Sequence, residues 1–231
     1  MLSNIFGKFI LKIKILHNIY IKHKHFLKKK SYAMEGEDLV VLKNINNKSN
    51  NFYVDVGCYH PLHLNNTYLL YKKGWRGINI DVSKYSIDLF NFMRPDDTNI
   101  EAAISNNQNY LKVYYQKKLS QLTTTKKEIS RKRMQGHIKE KNVKAETLNS
   151  ILNHSKYKNQ TIDFLNIDIE GADLEALRSL DFHNYRPTII CIEIDHKKIS
   201  NSETYKYLNN LKYEKIWSSK SNISHIFRSK I

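Results

Sequence analysis

The chain of 231 residues carries 38 Lys and Arg against 22 Asp and Glu, which gives a formal net charge of +16. A chain of this length fills one domain with a real core, and seven glycines with three prolines exclude a long flexible linker. The charge predicts attraction to phosphates, anionic lipid or acidic polymers, although it does not determine the fold.

The two cysteines argue against a disulfide-stabilised protein and against a cysteine metal site. Cys58 and Cys191 lie far apart in the chain, and each falls within an apolar strand pattern. We therefore expect two buried free thiols in a reducing compartment, not a disulfide. The chain also lacks the Cys spacing of a metal site. These features indicate a cytoplasmic protein.

The first 34 residues form a basic amphipathic segment with eight lysines and neither Asp nor Glu. One apolar face, opposite Lys8 and Lys12, recurs at helical spacing and comprises Leu2, Ile5, Phe6, Phe9, Ile10, Ile13, Leu16 and Tyr20. Two interpretations are open: a helix in peripheral contact with an anionic inner membrane face, or a helix packed on the domain with a solvated basic tail. Lysines interrupt the segment too often for a transmembrane span, and a signal-peptide cleavage site is missing. We expect an extension over residues 1–30 and one domain over residues 31–231.

After Tyr32, apolar runs alternate with amphipathic stretches, which predicts a parallel sheet covered by helices. Strands are expected at 52–56, 76–81, 98–103, 111–115, 163–168, 188–194, 212–217 and 223–228. Helices are expected at 38–44, 83–93, 147–153 and 172–180. The stretch 116–144 is rich in Lys, Gln and Thr, and it is predicted to be a mobile or substrate-facing insertion.

Two of the predicted strands end in a carboxylate and a glycine, and ligands of open α/β sheets bind beyond such strand ends. Asp55 beside Gly57 suits a cofactor that carries an amino-acid ammonium and a ribose. The G-x-G-x-x-G pattern of a dinucleotide site is absent. Asp81 ends the next strand, where a carboxylate can accept both ribose hydroxyls. Each acid alone is equally explained as a helix cap or surface charge, but together they favour a nucleoside cofactor.

The order and spacing of several segments resemble the FkbM family of S-adenosylmethionine (SAM)-dependent methyltransferases, from about Ser31 to the C-terminus. The segments that carry the resemblance are 31–38, 52–57, 66–81, 101–105, 147–152, 163–173 and the pair Ile192-Glu193. Two departures are present. Met34 stands where relatives often carry Gln, and the loop after Gly57 lacks the second glycine of a typical methyltransferase motif.

This resemblance implies an α/β, class I methyltransferase (Rossmann-like) fold, a seven-stranded mostly parallel sheet with helices on both faces and an antiparallel last strand. It implies that SAM lies across the ends of the first two strands. The implied contacts are Asp55 and Gly57 near the methionine part, Asp81 on the ribose, and Ala102 or Ala103 near the adenine. Glu37 either helps to close the site or is a helix-start charge.

Members of the family are expected to methylate hydroxyl oxygens, often of sugars or other secondary metabolites, which implies a small-molecule or glycan acceptor. Such a transfer needs in-line approach of the oxygen to the methyl group and a residue that takes the hydroxyl proton. The candidates for this catalytic role are Asp168, Glu170 and His196. Each histidine considered alone is more often a surface or packing residue.

Four carboxylates are expected at neighbouring strand ends, where they would repel each other unless protonated, paired with Lys or bound to a cation. They are Asp168, Glu170, Glu193 and Asp195. One interpretation is a Mg²⁺ ion, held by Asp168, Glu193 and Asp195, that acidifies the substrate hydroxyl. The alternative is that some of these acids cap a helix or bind the cofactor ammonium.

Two other functions are considered. The charge motivates nucleic-acid methylation, and a basic run in the insertion could hold a phosphorylated substrate instead of being a solvated face. A nucleic-acid partner is disfavoured because there is no recognition helix, RNA-binding signature or amino-methylating motif of the Asn-Pro-Pro-Tyr type. A non-catalytic binding protein that retains the fold is the other alternative.

Overall fold

The structure is a computed structural model, and it describes residues 2–46, 50–106 and 109–231. The described residues form ten strands: β1 (Phe52–Val56), β2 (Arg76–Asp81), β3 (Thr98–Glu101), β4 (Ala103–Ile104), β5 (Tyr110–Tyr115), β6 (Lys139–Glu146), β7 (Phe164–Ile167), β8 (Ile189–Glu193), β9 (Tyr213–Ser218) and β10 (Ser224–Ser229). The helices are α1 (Leu2–Leu16), α2 (Glu37–Asn44), α3 (Tyr68–Lys72), α4 (Lys84–Met93), α5 (Lys127–Arg133), α6 (Leu148–Asn153), α7 (Asp173–Arg178) and α8 (Glu203–Asn210). A π-helical stretch (His17–Lys22) continues α1, and a short 3₁₀ helix (Ile199–Asn201) precedes α8.

Seven of the strands form the central sheet, in the order β3-β2-β1-β7-β8-β10-β9. Every neighbouring pair is parallel except the two that involve β10, which runs antiparallel to both β8 and β9. The chain starts in the middle of the sheet, builds outward to β3 and then returns to build the other half from β7. This arrangement confirms the predicted class I methyltransferase fold.

Strand β1 is buried on both faces, because helices cover both sides of the sheet. Phe52, Val54 and Val56 point into an apolar cluster that includes side chains of α6, α7 and α8. Tyr53 points to the other face, where it packs with Val41 of α2 and side chains of α3. A strand of this kind reads as a continuous apolar run, and the single charged residue in it, Asp55, therefore needs an explanation.

Two predictions about the middle of the chain were wrong in detail. The expected strand 98–103 is divided at Ala102, whose N–H donates to Asp81 O (3.1 Å), and β4 then joins a separate sheet of order β4-β6-β5. The expected insertion 116–144 contains α5 and most of β6, which pairs antiparallel with β5. Only Val143 and Ala145 of β6 are buried. Because most of its residues are polar, the sequence lacks the apolar pattern that would predict a strand here.

The N-terminal segment packs on the domain. Ile15 and Ile19 are buried in an apolar cluster with Leu89 of α4, and Leu11 packs against the same cluster. The packing face is therefore not the apolar face predicted from the sequence. None of the helices in the described ranges is both long and apolar enough to cross a bilayer. The boundary between residues 30 and 31 stays a prediction.

Candidate cofactor and active site

A cleft opens at the carboxyl ends of β1, β2 and β7, the edge at which the sequence predicted a ligand. Its empty space, including the open mouth, is about 830 Å³. The predicted site residues that line it are Asp55, Gly57, Asp81, Ala102, Ala103 and Asp168. The fold thus brings six positions from four separate segments of the chain to one cavity.

Gly57 lets the ends of β1 and β7 approach each other closely. Its φ is +79°, and a Cβ at this position would lie 1.8 Å from the carbonyl oxygen of Asp168. No other residue fits this position without moving the backbone. The N–H groups of Gly57 and Cys58 both donate to Ile80 O, at 2.9 Å and 3.1 Å, and so fix the turn against β2.

Asp55 is almost fully buried, and its carboxylate accepts hydrogen bonds from three neighbouring side chains. Thr67 Oγ1 (2.7 Å) and Asn65 Nδ2 (3.2 Å) donate to one carboxylate oxygen, and Asn166 Nδ2 (2.9 Å) donates to the other. Burial raises the pKa of Asp55, and these hydrogen bonds oppose that shift. Asp55 therefore holds in place Asn65 and Asn166, whose amide side chains form one wall of the cleft. Its predicted contact with the methionine part stays a prediction.

Arg94 supports this wall from behind, although its place in the sequence predicted no role in the site. Its guanidinium is fully buried and donates to Asn65 Oδ1 (2.7 Å), Thr67 Oγ1 (2.8 Å) and the carbonyl oxygen of Pro61. The same side chains that hold Asp55 are thus held by Arg94. An arginine provides five N–H donors in a fixed fork, which a lysine cannot replace.

Asp81 lies at the end of β2 and at the surface of the cleft. One carboxylate oxygen accepts the N–H of Tyr59 (2.8 Å), and the other accepts the N–H of Ser83 (2.7 Å). Burial nevertheless raises the pKa of Asp81 to about 6. The carboxylate keeps lone pairs free for further donors, and the apolar side chains of Ile80 and Val82 lie beside it in the cleft.

Asp168 and Glu193 form a pair of interacting carboxyl groups at the ends of the adjacent strands β7 and β8. Burial and the nearby Glu193 raise the pKa of Asp168 well above its ordinary value. Burial and the neighbouring acids Glu170 and Asp173 raise the pKa of Glu193 to about 7. Both carboxyl groups therefore keep their protons to a higher pH than ordinary carboxyl groups do, because burial and neighbouring negative charge oppose ionisation.

The other two predicted catalytic residues do not line the cleft. Glu170 is ion-paired with Arg133 of α5. His196 is exposed, and its Nδ1 accepts the N–H of Lys198 (3.1 Å). His196 does line a neighbouring depression, which Glu193 also lines. The predicted acid cluster is therefore divided: Asp168 lines the cleft, Glu193 and Asp195 line the depression, and Glu170 lines neither. The loop after β7 contributes residues to both cavities.

That loop, which follows β7, owes its shape to Asp173. Glu170 and Gly171 both have positive φ values, of +54° and +95°. The Asp173 carboxylate accepts the N–H groups of Ile169 and Gly171, each at 3.0 Å, and so holds this strained turn. Asp173 therefore stabilises the turn that contains the Glu-Gly pair. It was not among the predicted site residues.

Asp195 and Glu37 also lie outside the cleft. Asp195 is exposed and lies 3.5 Å from Arg133, Oδ2 to Nη2. Across the described residues, no group of three or more His, Cys, Asp and Glu side chains is arranged to hold a metal ion, so the predicted Mg²⁺ site at Asp168, Glu193 and Asp195 has no support. Glu37 is buried at the start of α2, where its carboxylate accepts the N–H of Glu35 (2.8 Å), as expected of a helix-start charge.

A polar loop over residues 120–125 forms part of the cleft. It belongs to the predicted insertion 116–144, and the sequence did not indicate which part of that insertion would line the cleft. Ser120, Gln121, Thr123, Thr124 and Thr125 all line the cavity. Thr124 Oγ1 donates to the carbonyl oxygen of Glu170 (2.8 Å), which connects this loop to the end of β7. The part of the predicted insertion that lines the cleft is therefore this short run, in which four of the five lining side chains carry a hydroxyl group.

The family model described as the methyltransferase FkbM domain matches residues 55–215. The chain belongs to the FkbM methyltransferase family. The match includes every predicted site residue except Glu37. No curated protein matches the chain closely enough to count as a relative. Among solved structures, the chain is similar to a TehB-like SAM-dependent methyltransferase from Corynebacterium glutamicum, with a TM-score of 0.43 and 10% identity over 85% of this chain and 89% of that chain.

The cleft of this FkbM methyltransferase fits the SAM that the family uses. It presents a carboxylate for a ribose at Asp81, small residues for a planar base at Ala102 and Ala103, and an amide side chain at Asn66 for a charged amino-acid group. All of these residues line the same cleft. The assignment of each residue to a part of SAM remains a prediction.

The raised pKa of Asp81 predicts that cofactor affinity depends on pH. Ribose hydroxyls donate to a carboxylate, so the bound state favours the ionised form, and a protonated Asp81 must lose its proton on binding. We expect the affinity for S-adenosylhomocysteine to be constant above pH 6. Below pH 6 the affinity should decrease, and the decrease should approach about tenfold for each pH unit. Calorimetry between pH 5 and pH 7.5 measures this slope. Asp81→Asn is the control, since it should bind weakly with no such slope, and an equal slope in both proteins would contradict the assignment.

Proposed function

We propose that this FkbM methyltransferase transfers the methyl group of SAM to a hydroxyl oxygen of a sugar, a glycan precursor or a related small metabolite. SAM, when bound, supplies a methyl group on a sulfonium that is already a good leaving group. The protein's own contribution is then to orient the acceptor oxygen and to accept its proton.

The observation that carries this proposal is the carboxyl pair of Asp168 and Glu193. An alcohol loses its proton only as the new bond forms, so it needs a base of raised basicity at the point of transfer. Asp168 lines the cofactor cleft, and its raised pKa makes its carboxylate more basic than an ordinary aspartate. In the proposed reaction the hydroxyl oxygen bonds to the methyl carbon, the carbon–sulfur bond breaks with its electron pair going to sulfur, and the proton passes to Asp168.

The neighbouring depression supports an acceptor rich in hydroxyl groups. Glu193 and His196 line it together with Lys132, Arg133 and Thr204, so it presents both donors and acceptors. Each hydroxyl group of a sugar can donate and accept hydrogen bonds, which suits such a lining. Since Asp168 faces the cofactor cleft and its partner Glu193 faces this depression, the acid pair lies between the two cavities. His196 thus belongs to the acceptor side in this proposal.

The test is an assay with SAM that carries a deuterated methyl group. Purified protein is incubated with free, nucleotide-linked and oligomeric sugars, and the products are analysed by mass spectrometry together with glycans from cells that contain or lack the protein. We expect the label on a hydroxyl oxygen of a sugar, and a methyl group missing from the glycans of deficient cells. Label found only on nitrogen or on nucleic acid would contradict the proposal. Cofactor binding without transfer to any acceptor, and unchanged glycans, would point to a non-catalytic binding protein.

A further inference from the structure

The N-terminal segment bears an apolar surface that no other part of the described chain covers. Phe6, Phe9, Ile13, Ile21 and Phe26 are each between 50% and 68% exposed. Single exposed apolar residues are ordinary, but several of them along one helix and its continuation mark an interaction surface, and Phe26 lies in the turn that follows. The side chains of Leu2 and Ile5, which belong to the same predicted face, lie outside the described part of the chain.

This surface is distinct from the face that attaches the helix to the domain. Leu11, Ile15 and Ile19 follow a four-residue spacing and pack toward α4, whereas Phe9 and Ile13 follow the same spacing on another side and are exposed. The segment thus has two apolar faces, and only one of them is used within the chain.

Polar contacts fix the orientation of the exposed face. The hydroxyl of Tyr85, in α4, donates to the carbonyl oxygen of Lys14 (3.3 Å). Asn18 Oδ1 and His60 Nε2 lie 2.7 Å apart, and both side chains are buried. The helix is therefore held on the domain, and its apolar face is presented outward in a defined direction.

The segment that bears the exposed face is strongly basic. Lys8, Lys12, Lys14, Lys22 and Lys24 are all exposed along the same segment. The first 34 residues carry eight lysines and no acid, so they account for +8 of the net charge of +16. A partner of this surface must be both apolar and anionic. A second copy of the chain would bring another +8 to the same place and is disfavoured by repulsion.

We propose that the outward face of α1 and its π-helical continuation docks on an anionic lipid bilayer. The aromatic and aliphatic side chains enter the boundary of headgroups and acyl chains, and the lysines lie at the level of the lipid phosphates. A groove beside α1, lined by Leu11, Lys14, Val82 and Thr123, adjoins the cofactor cleft, which Val82 and Thr123 also line.

Sedimentation with vesicles tests the proposal. The full chain is mixed with vesicles of phosphatidylcholine alone or of phosphatidylcholine with phosphatidylglycerol, at low and high salt. We expect binding only to the anionic vesicles, weakened by salt. Phe9→Ser combined with Ile13→Ser should reduce partitioning more than about tenfold. Lys8→Gln and Lys12→Gln should reduce it about fivefold each.

Matched controls lie on other surfaces of the domain. Tyr110→Ser removes an equally exposed aromatic side chain, and Lys158→Gln removes an exposed lysine; both should bind vesicles like the unmodified protein. Binding of S-adenosylhomocysteine by every variant shows that the fold is intact and keeps this test separate from that of the catalytic function. Failure to bind anionic vesicles, or equal binding by the α1 variants, overturns the proposal. Self-association that depends on Phe9 and Ile13, without vesicle binding, assigns the face to a second copy.

Discussion

Asp168→Asn is expected to lower kcat by about 10²- to 10⁴-fold, the range typical of removing a general base, and to leave the affinity for S-adenosylhomocysteine nearly unchanged. Asparagine keeps the size and hydrogen-bonding reach of the side chain but cannot accept the hydroxyl proton. The Asp168 carboxyl is the one whose pKa is raised both by burial and by Glu193 at the wall of the cleft. Single-turnover kinetics with the deuterated methyl donor separates the chemical step from binding.

Two further variants make this prediction specific. Asp195→Asn alters an exposed acid near the same strand ends, where Arg133 is the neighbouring charge, and should leave kcat close to that of the unmodified protein. Glu193→Gln removes the partner that raises the pKa of Asp168, so it should shift the acid limb of the kcat profile to lower pH. A fully active Asp168→Asn protein would show that the proton goes to a different group.

Arg94→Met is expected to lower the free energy of unfolding by about 3–5 kcal/mol, the usual cost of removing one partner from a buried charged network. The substitution roughly preserves volume but leaves Asn65, Thr67 and the carbonyl oxygen of Pro61 without their buried donor. It also removes a positive charge that lowers the pKa of the buried Asp55 carboxylate. Urea unfolding of the cofactor-free protein measures the change.

The matched control is Arg131→Met, at an exposed position of α5, where a change within about 0.5 kcal/mol is expected. Arg94→Lys should recover part of the stability, since an ammonium group can donate to some of these acceptors but not in the planar fork of a guanidinium. If Arg94→Met unfolds at the same urea concentration as Arg131→Met, then the network that Arg94 supports does not stabilise the cleft wall.

The middle of the central sheet could be predicted from the sequence because β1, β7 and most of β2 and β8 are buried on both faces. Seven of the expected strands, including 52–56 and 76–81, match observed strands within one or two residues, since an apolar run between polar turns is a local signal. Strand β6 was missed because it lies in a small sheet with only two buried side chains. A polar strand of this kind is specified by its partner β5, which a local pattern does not reveal.

The candidate site could be predicted only in part, because a sequence pattern is visible over a few neighbouring residues and not between distant ones. Asp55, Asp81 and Asp168 were found because a carboxylate at the end of an apolar strand is visible in a window of six residues. Arg94 was missed because its partners lie 27 to 33 residues earlier in the chain and only the fold brings them together. The prediction grouped Glu170 and His196 with Asp168 because the ends of neighbouring strands lie close together. The sequence does not show the conformation of the loop after β7, which determines which of these residues reach the cleft.

The orientation of the N-terminal helix shows the same limit. Its apolar periodicity was correctly recognised, but periodicity cannot tell which of two apolar faces meets the domain. The face with the stronger pattern, which includes Phe9 and Ile13, is the exposed one. A stripe of three residues, Leu11, Ile15 and Ile19, was sufficient for packing because the domain supplies the complementary surface at α4.

The central claim is that SAM binds in the cleft at the ends of β1, β2 and β7, with Asp81 as the ligand of its ribose. Isothermal calorimetry with S-adenosylhomocysteine, on the unmodified protein and on Asp81→Ala, tests it most directly. We predict one binding site per chain and a loss of about 1–3 kcal/mol of binding free energy in the variant, as expected for lost charge-assisted hydrogen bonds. Absence of binding to the folded protein, or an equal affinity for the variant, would contradict the claim.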